Sequence, residues 1–157
     1  MASNMVGIKG KLYYNSATFG SPTWVEHTLI RDLNRNFKAD LADVVTRASR
    51  AKRAVPTTFD LSITGTLLAQ VDSTIYLAQR TAFLAGTVFD IMCLTGARTN
   101  NGEEGFRYEA VVGDASQDQG SGNPMYDSFE FRPHGESANV IQTALVATGA
   151  PVFTTFA

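Results

Sequence analysis

Val55-Pro56-Thr57-Thr58-Phe59-Asp60-Leu61-Ser62-Ile63-Thr64-Gly65-Thr66-Leu67-Leu68-Ala69-Gln70 decides the fold class. Phe59, Leu61, Ile63, Gly65 and Leu67 alternate with Asp60, Ser62, Thr64 and Thr66, a period of two that sets an apolar row against a polar one. Such a row pair predicts a long antiparallel strand with one face in a core and the other wet. The polar row is hydroxyls and one carboxylate, with no base placed to activate a nucleophile.

Outward from that strand the chain keeps a β character. Ile8 to Tyr14 predicts a first strand, Asn15 to Thr23 a turn-rich loop, and Trp24 to Lys38 a second strand with a bend. The strand is preferred over the short helix that the spacing of Leu29, Leu33 and Phe37 also suits, because two Asn and the lack of a cap oppose it. Thr87 to Thr95 is almost continuously apolar apart from Asp90, which predicts a strand covered on both faces. Phe106 to Gly113 and Tyr126 to Arg132 alternate again, separated by a Gly/Ser/Gln-rich loop, with Pro133 as a stop. One helix is expected over about residues 73–85, capped by Asp72 or Ser73 and stopped at Gly86. Its apolar residues, among them Tyr76, Leu77, Phe83 and Leu84, are expected to pack on a sheet. No charged side chain follows Glu136, yet Val140 to Thr148 and Val152 to Phe156 favour strands, so these segments must be paired or covered.

At 157 residues the chain fits one domain, residues 1–157, large enough for a real core. It is 44% hydrophobic and 18% charged, below the roughly 25% charged of an ordinary soluble domain. Thirteen Lys and Arg against fifteen Asp and Glu give no general attraction to nucleic acid or an anionic membrane. The distribution is uneven. Residues 1–53 hold nine basic and four acidic side chains, and residues 54–157 hold four and eleven, local charges of +5 and −7.

Residues 39–55 have no clean period and no Gly or Pro, and carry a basic cluster of Arg47, Arg50, Lys52 and Arg53. They are expected to form a long loop, either solvated or meeting a protein partner through charge, since aromatic residues that would accompany the cations in a nucleic-acid patch are absent.

Catalytic and metal chemistry find no pattern to stand on. The two histidines, His27 and His134, are far apart in sequence, and Cys93 is the single cysteine, set in an apolar run as an inert thiol. Metal-ligand spacing, a nucleophile elbow and a phosphate loop are all missing, so neither an enzyme nor a cofactor is expected. Neither a secretory signal nor an apolar run of membrane-spanning length is seen.

Asp32-Leu33-Asn34-Arg35-Asn36, then Ala42-Asp43-Val44-Val45-Thr46-Arg47-Ala48-Ser49, then Phe59-Asp60-Leu61-Ser62-Ile63, resemble the Ala-Asp-Val-Thr-Thr-Arg region of major tail tube proteins of long-tailed phages. The order of elements is similar over most of the chain. The resemblance implies a mainly β fold, a β-sandwich or small barrel of two packed antiparallel sheets with one flanking helix. It also implies hexameric rings stacked into a tail tube, assembled in the host cytoplasm and carried in the virion tail. Partners would be copies of the chain itself and other tail proteins such as the tape measure, terminator and distal tail proteins. DNA would pass through without specific binding.

On this reading Asp60, Ser62, Thr64, Thr66, Glu109 and Glu130 are candidates to line the lumen. The basic residues Arg47, Arg50, Lys52 and Arg53 are candidates to meet Glu103, Glu104, Asp114 and Asp118 of the next ring. Two other classes share the pattern: the tube of a contractile tail or type VI-like secretion apparatus, and a monomeric small β-barrel binding protein.

Overall fold

The computed structural model describes residues 10–46, 49–70, 72–118, 121–122, 124–136, 139 and 141–155. Among the described residues, nine strands and one helix follow one another as β1 (Lys11–Asn15), β2 (Trp24–Glu26), β3 (Ile30–Thr46), β4 (Ser49–Leu68), α1 (Thr74–Ala85), β5 (Phe89–Leu94), β6 (Glu104–Asp118), β7 (Tyr126–Pro133), β8 (Gln142–Ala147) and β9 (Ala150–Thr155). All pairings are antiparallel, in the order β2-β1-β5-β6-β7-β4-β3, with the β8–β9 hairpin branching from β6. The sheet curls over its own core in sandwich fashion and does not close into a barrel.

β6 is the hinge of this arrangement. One edge pairs with β5 through Ala110; the other carries β8 at residues 104–107 and β7 at residues 110–118. Gly105 permits the tight join, since a Cβ there would fall 1.7 Å from the Cys93 carbonyl oxygen on β5.

Two cores result. The larger gathers Leu12, Leu61, Ile63, Leu67, Phe89, Ile91, Tyr108, Phe129 and Phe131, closed at one end by Tyr76 and Ala82 of α1. The smaller lies on the opposite side of β1 and β5, where Tyr13, Met92 and Leu94 meet Ala144 and Val146 of β8. β5 is thus buried on both faces, as its apolar run predicts, and the uncharged C-terminal segments are what cover it. Cys93 is buried in the first core, and burial pushes its thiol up to about 12, so it stays protonated and unreactive.

Asp90 interrupts the apolar run because it has buried partners. Its carboxylate receives Arg107 Nη2 at 2.9 Å, Arg107 Nε at 3.3 Å and Asn15 Nδ2 at 2.7 Å. Asn15 Oδ1 in turn accepts from the Ala17 and Thr23 amides, folding the loop that brings Phe19 over the Arg107 guanidinium. Trp24 and Phe153 flank the same cation, and Arg107 also donates to the Phe19 carbonyl.

α1 begins and ends where its caps predict. Ser73 accepts from the Tyr76 amide, and Gly86 takes φ 65° to send its N–H back to Ala82. The helix face differs from expectation. Tyr76, Gln79 and Ala82 are buried, whereas Leu77 and Leu84 are exposed. Gln79 goes inward because its Oε1 lies 3.1 Å from His27 Nε2, tying α1 to the segment after β2.

Residues 39–55 are corrected from a loop to a hairpin arm. β3 and β4 pair from Ile30↔Leu67 to Thr46↔Ser49, with bulges at Asp32, after Asp40 and near the tip. Pro56 is accommodated because it lies at one of these irregularities, on a stretch of β4 where no strand other than β3 is recorded alongside. The segment lacks a period because neither of its faces is buried by this chain: Phe37, Leu41, Val44, Val45, Val55 and Phe59 are all exposed.

Candidate functional site

Register brings most of the polar candidates onto one continuous wall. Cα partners across β6, β7, β4 and β3 run Ser116–Ser128–Thr66–Arg31 and Asp114–Glu130–Thr64–Asn34, with Ser62–Asn36 and Asp60–Lys38 beyond. Residues directly opposite share a face, so Asp60, Ser62, Thr64, Thr66 and Glu130 stand together on the side away from the core. Ser62 is buried beside Asn36, whose Nδ2 reaches Ser62 Oγ at 3.4 Å and Thr64 Oγ1 at 3.3 Å. Glu109 shares this side of β6 by alternation with Val111, opposite Arg132, but sits lower, beyond the end of β7 pairing.

The cations of this wall stand beside carboxylates. Arg132 Nε donates to Glu130 Oε1 at 2.9 Å, Arg31 Nε lies 3.2 Å from Asp32, and Lys38 Nζ lies 3.6 Å from Asp40. The hydrogen bond to Glu130, then the charges of Glu130 and Asp60, hold the Arg132 guanidinium above its ordinary range. The wall thus presents hydroxyls, amides and cations set beside carboxylates.

Both margins of the wall are open sheet edges. β3 pairs only with β4 among the described residues, and the β6 edge that carries β5 has no strand against residues 111–118. A bulge between Val112 and Asp114 keeps Asp114 and Ser116 on the polar side and turns Ala115 toward α1.

The arm leaves the body beyond Phe37 and Phe59, where the Phe37 ring lies 4.9 Å from that of Phe106. The ten or so residues remaining on each side span roughly 30 Å. It projects from the end of the molecule opposite Leu68, Tyr126 and Asp118. Its backbone carries Arg50, Lys52 and Arg53 near the tip, with Arg53 exposed; Arg47 lies outside the described residues.

The four acidic candidates do not stand together. Glu104 lies near the arm's root, lining a cleft with Arg35, and Glu103 accepts from Thr95 Oγ1 at 2.5 Å. Asp114 and Asp118 belong to the far half of β6, whose full length is about 45 Å. Sequence reading missed two features of this region. The open edges became visible only with the pairing, and the exposed apolar row of the arm was hidden because the segment was taken as a loop.

No protein-family model matches the chain, and no curated protein sequence matches it. Solved structures do. The chain resembles a subunit in the tail of an empty gene transfer agent particle, determined with C6 symmetry, at TM-score 0.69 and 14% identity, covering 93% of this chain and 100% of that one. It also resembles a subunit of the SPP1 tail tube (TM-score 0.65, 11% identity, 82% and 75% covered) and one in the anti-feeding prophage baseplate (0.62, 10%, 93% and 99%). At these identities the likeness establishes a shared fold.

Proposed function

We propose that this chain is a structural subunit of a phage-type tail tube, forming sixfold rings that stack around a lumen through which DNA passes. The observation that carries the reading is the polar four-stranded wall with an open edge on each side, in a fold found in tail assemblies.

Strand direction makes closure possible. β6 and β4 run one way, β7 and β3 the other, so β3 of one copy meets β6 of the next antiparallel, without inversion of the subunit. A heterologous contact repeated by rotation closes a ring and removes both exposed edges. Six copies of four strands give twenty-four. At ~4.8 Å between strands and a tilt of 35–45°, the backbone ring is about 50 Å across, leaving roughly 40 Å between side chains. That bore admits a duplex. Asp60, Ser62, Thr64, Thr66, Glu109 and Glu130 would face it, with few unpaired cations to hold phosphates.

Stacking uses the arm. Its basic tip would reach the opposite end of a subunit in the next ring, where Asp118 at the end of β6 is the acidic candidate; Asp114 stands on the wall beside Glu130, and Glu103 and Glu104, near the arm's own root, are the less favourable pair. The exposed ends of a finished tube would meet other tail proteins.

Negative-stain imaging and sedimentation of the purified chain test this. Rings or tubes with a bore near 40 Å, and duplex DNA that does not bind tightly at low salt, are expected. A 17.0 kDa monomer at high concentration overturns it.

A further inference from the structure

Rings closed between β3 and β6 leave two apolar surfaces to be explained, and these lie on either side of that joint. A groove of about 180 Å3 runs between α1 and the far half of β6, lined by Tyr76, Arg80, Phe83, Leu84, Val112 and Ala115. Leu84 stands 74% exposed at its rim. The arm, for its part, presents Leu41 and Phe59 at 62% and 66% exposure. We propose that the α1–β6 groove seats the apolar side of a second copy's β3, the neighbour within the ring. This rests on the ring reading above and assigns it a lateral contact outside the lumen.

Side-chain alternation decides which face arrives. Asp114 and Ser116 lie on the polar wall, whereas Val112 and Ala115 lie toward α1. A strand added at this edge continues the same alternation. With Asn36 and Lys38 of the incoming β3 in the wall, Arg35, Phe37, Ala39 and Leu41 fall on the side of α1.

Barrel geometry decides which residues arrive. The Leu68 amide donates to Leu29 and the Ala69 amide to Met125. For L-residues this places β3 to the left of β4, and β7 and β6 to the right, seen from α1 with β4 running upward. Closed sheets tilt with a right-handed coil at 35–45°, so crossing four strands shifts the register by roughly five residues. The shift has a definite sign: Asp114 of one copy falls opposite about residue 39 of its neighbour, instead of residue 34. Residues 35–42 of the incoming β3 therefore run along residues 111–118 of β6, and Leu41 comes level with the Leu84 end of α1.

Charge agrees with this placement. Asp127 lines the same groove, where its carboxylate interacts with Tyr76 beside Arg80, and it pairs with Leu67 and Gln117; its Oδ1 is buried without a hydrogen-bond partner among the described residues. In the shifted register Arg35 of the neighbour arrives at that height. The groove thus receives an aliphatic side chain at one end and a guanidinium at the other, which is what its lining fits.

The full chain carrying both Leu41→Cys and Leu84→Cys, treated with a short bismaleimide, tests the seat. Cys93 is 1% exposed and stays out of the reaction. Assembled particles should give a covalent ladder that stops at the number of copies in one ring. Particles that assemble but yield only monomer bands overturn the seat while leaving the rings intact. A ladder running past the ring number places Leu41 on a helix of another ring and also overturns it. In a separate variant, Leu84→Arg should raise the concentration needed for ring formation at least tenfold with an unchanged unfolding midpoint; ring formation at the wild-type concentration counts against the proposal. If the unmodified chain makes no rings, the ring reading falls and this seat with it.

Discussion

β5 and the β3–β4 arm are both built from paired strands, yet one is covered on two sides and the other on neither. Around β5, each face has a core of its own, and the lone carboxylate in the run is matched by a bidentate Arg107, an Asn15 amide and an aromatic surround. Along the arm, backbone pairing runs to Asp40 and resumes at Leu41, but Leu41, Val44, Val45 and Val55 are exposed. Isolated two-stranded ribbons are marginal in water. The difference teaches where each region's stability comes from: β5 is satisfied by its own chain, whereas the arm is a strand pair that its own chain leaves uncovered.

The largest effect that can break this comparison is at Arg107. Removing one partner of a buried ion pair leaves the other uncompensated, at a cost of about 3–5 kcal/mol. Arg107→Ala is therefore expected to lower the urea midpoint of unfolding steeply, and Arg107→Met combined with Asp90→Leu to restore much of the loss. A single variant within 1 kcal/mol of wild type would mean that β5 is no more self-sufficient than the arm.

His27 offers the next largest effect, through pH. Burial is the main cause of its lowered pKa, to about 4, and the contact with Gln79 offsets this only in part. Between pH 6.5 and 4 the unfolded chain takes up a proton that the folded chain refuses, so stability is lost as pH falls through that window. The loss is on the order of 3 kcal/mol. His27→Gln should flatten the dependence of the unfolding free energy on pH over this range, while carboxylate contributions cancel in the difference. Parallel curves for variant and wild type would remove His27 from the α1 anchorage.

How much of this was legible in the sequence follows the same division. β5, β7 and the inner half of β4 announce themselves because their own chain buries them, leaving a continuous or alternating apolar row. The helix caps at Ser73 and Gly86 were legible because capping is local chemistry. The polar wall was half legible: Asp60, Ser62, Thr64 and Thr66 follow from one strand's alternation, but Asn34, Asn36 and Lys38 join them only through the β3–β4 register. Residues 39–55 give no strand signal because a hairpin that its own chain leaves uncovered carries no hydrophobic period. Gln79 was invisible for a different reason, since its inward turn depends on His27, fifty-two residues away.

The smallest effect on folding, and the sharpest test of the arm, is charge reversal at its tip. Arg50→Glu, Lys52→Glu and Arg53→Glu together change a segment that packs on no core of its own chain, and surface changes of this kind move stability by about 0.5 kcal/mol or less. The unfolding midpoint and the lateral rings should therefore survive. On the proposed stacking, tube growth should not, because each ring would present this tip to the acidic end of the next, and six weakened contacts would act together along one axis. Exposed pairs contribute roughly 0.2–1 kcal/mol each and are screened by salt, so wild-type tubes should shorten as ionic strength rises, and the triple variant should stop at single rings. Reversal of Asp118 to Lys in the same chain should restore growth in part, whereas reversal of Glu103 and Glu104 should not. Tubes of normal length and salt response from the triple variant would show that the arm's tip is as indifferent to its neighbours as β5 is.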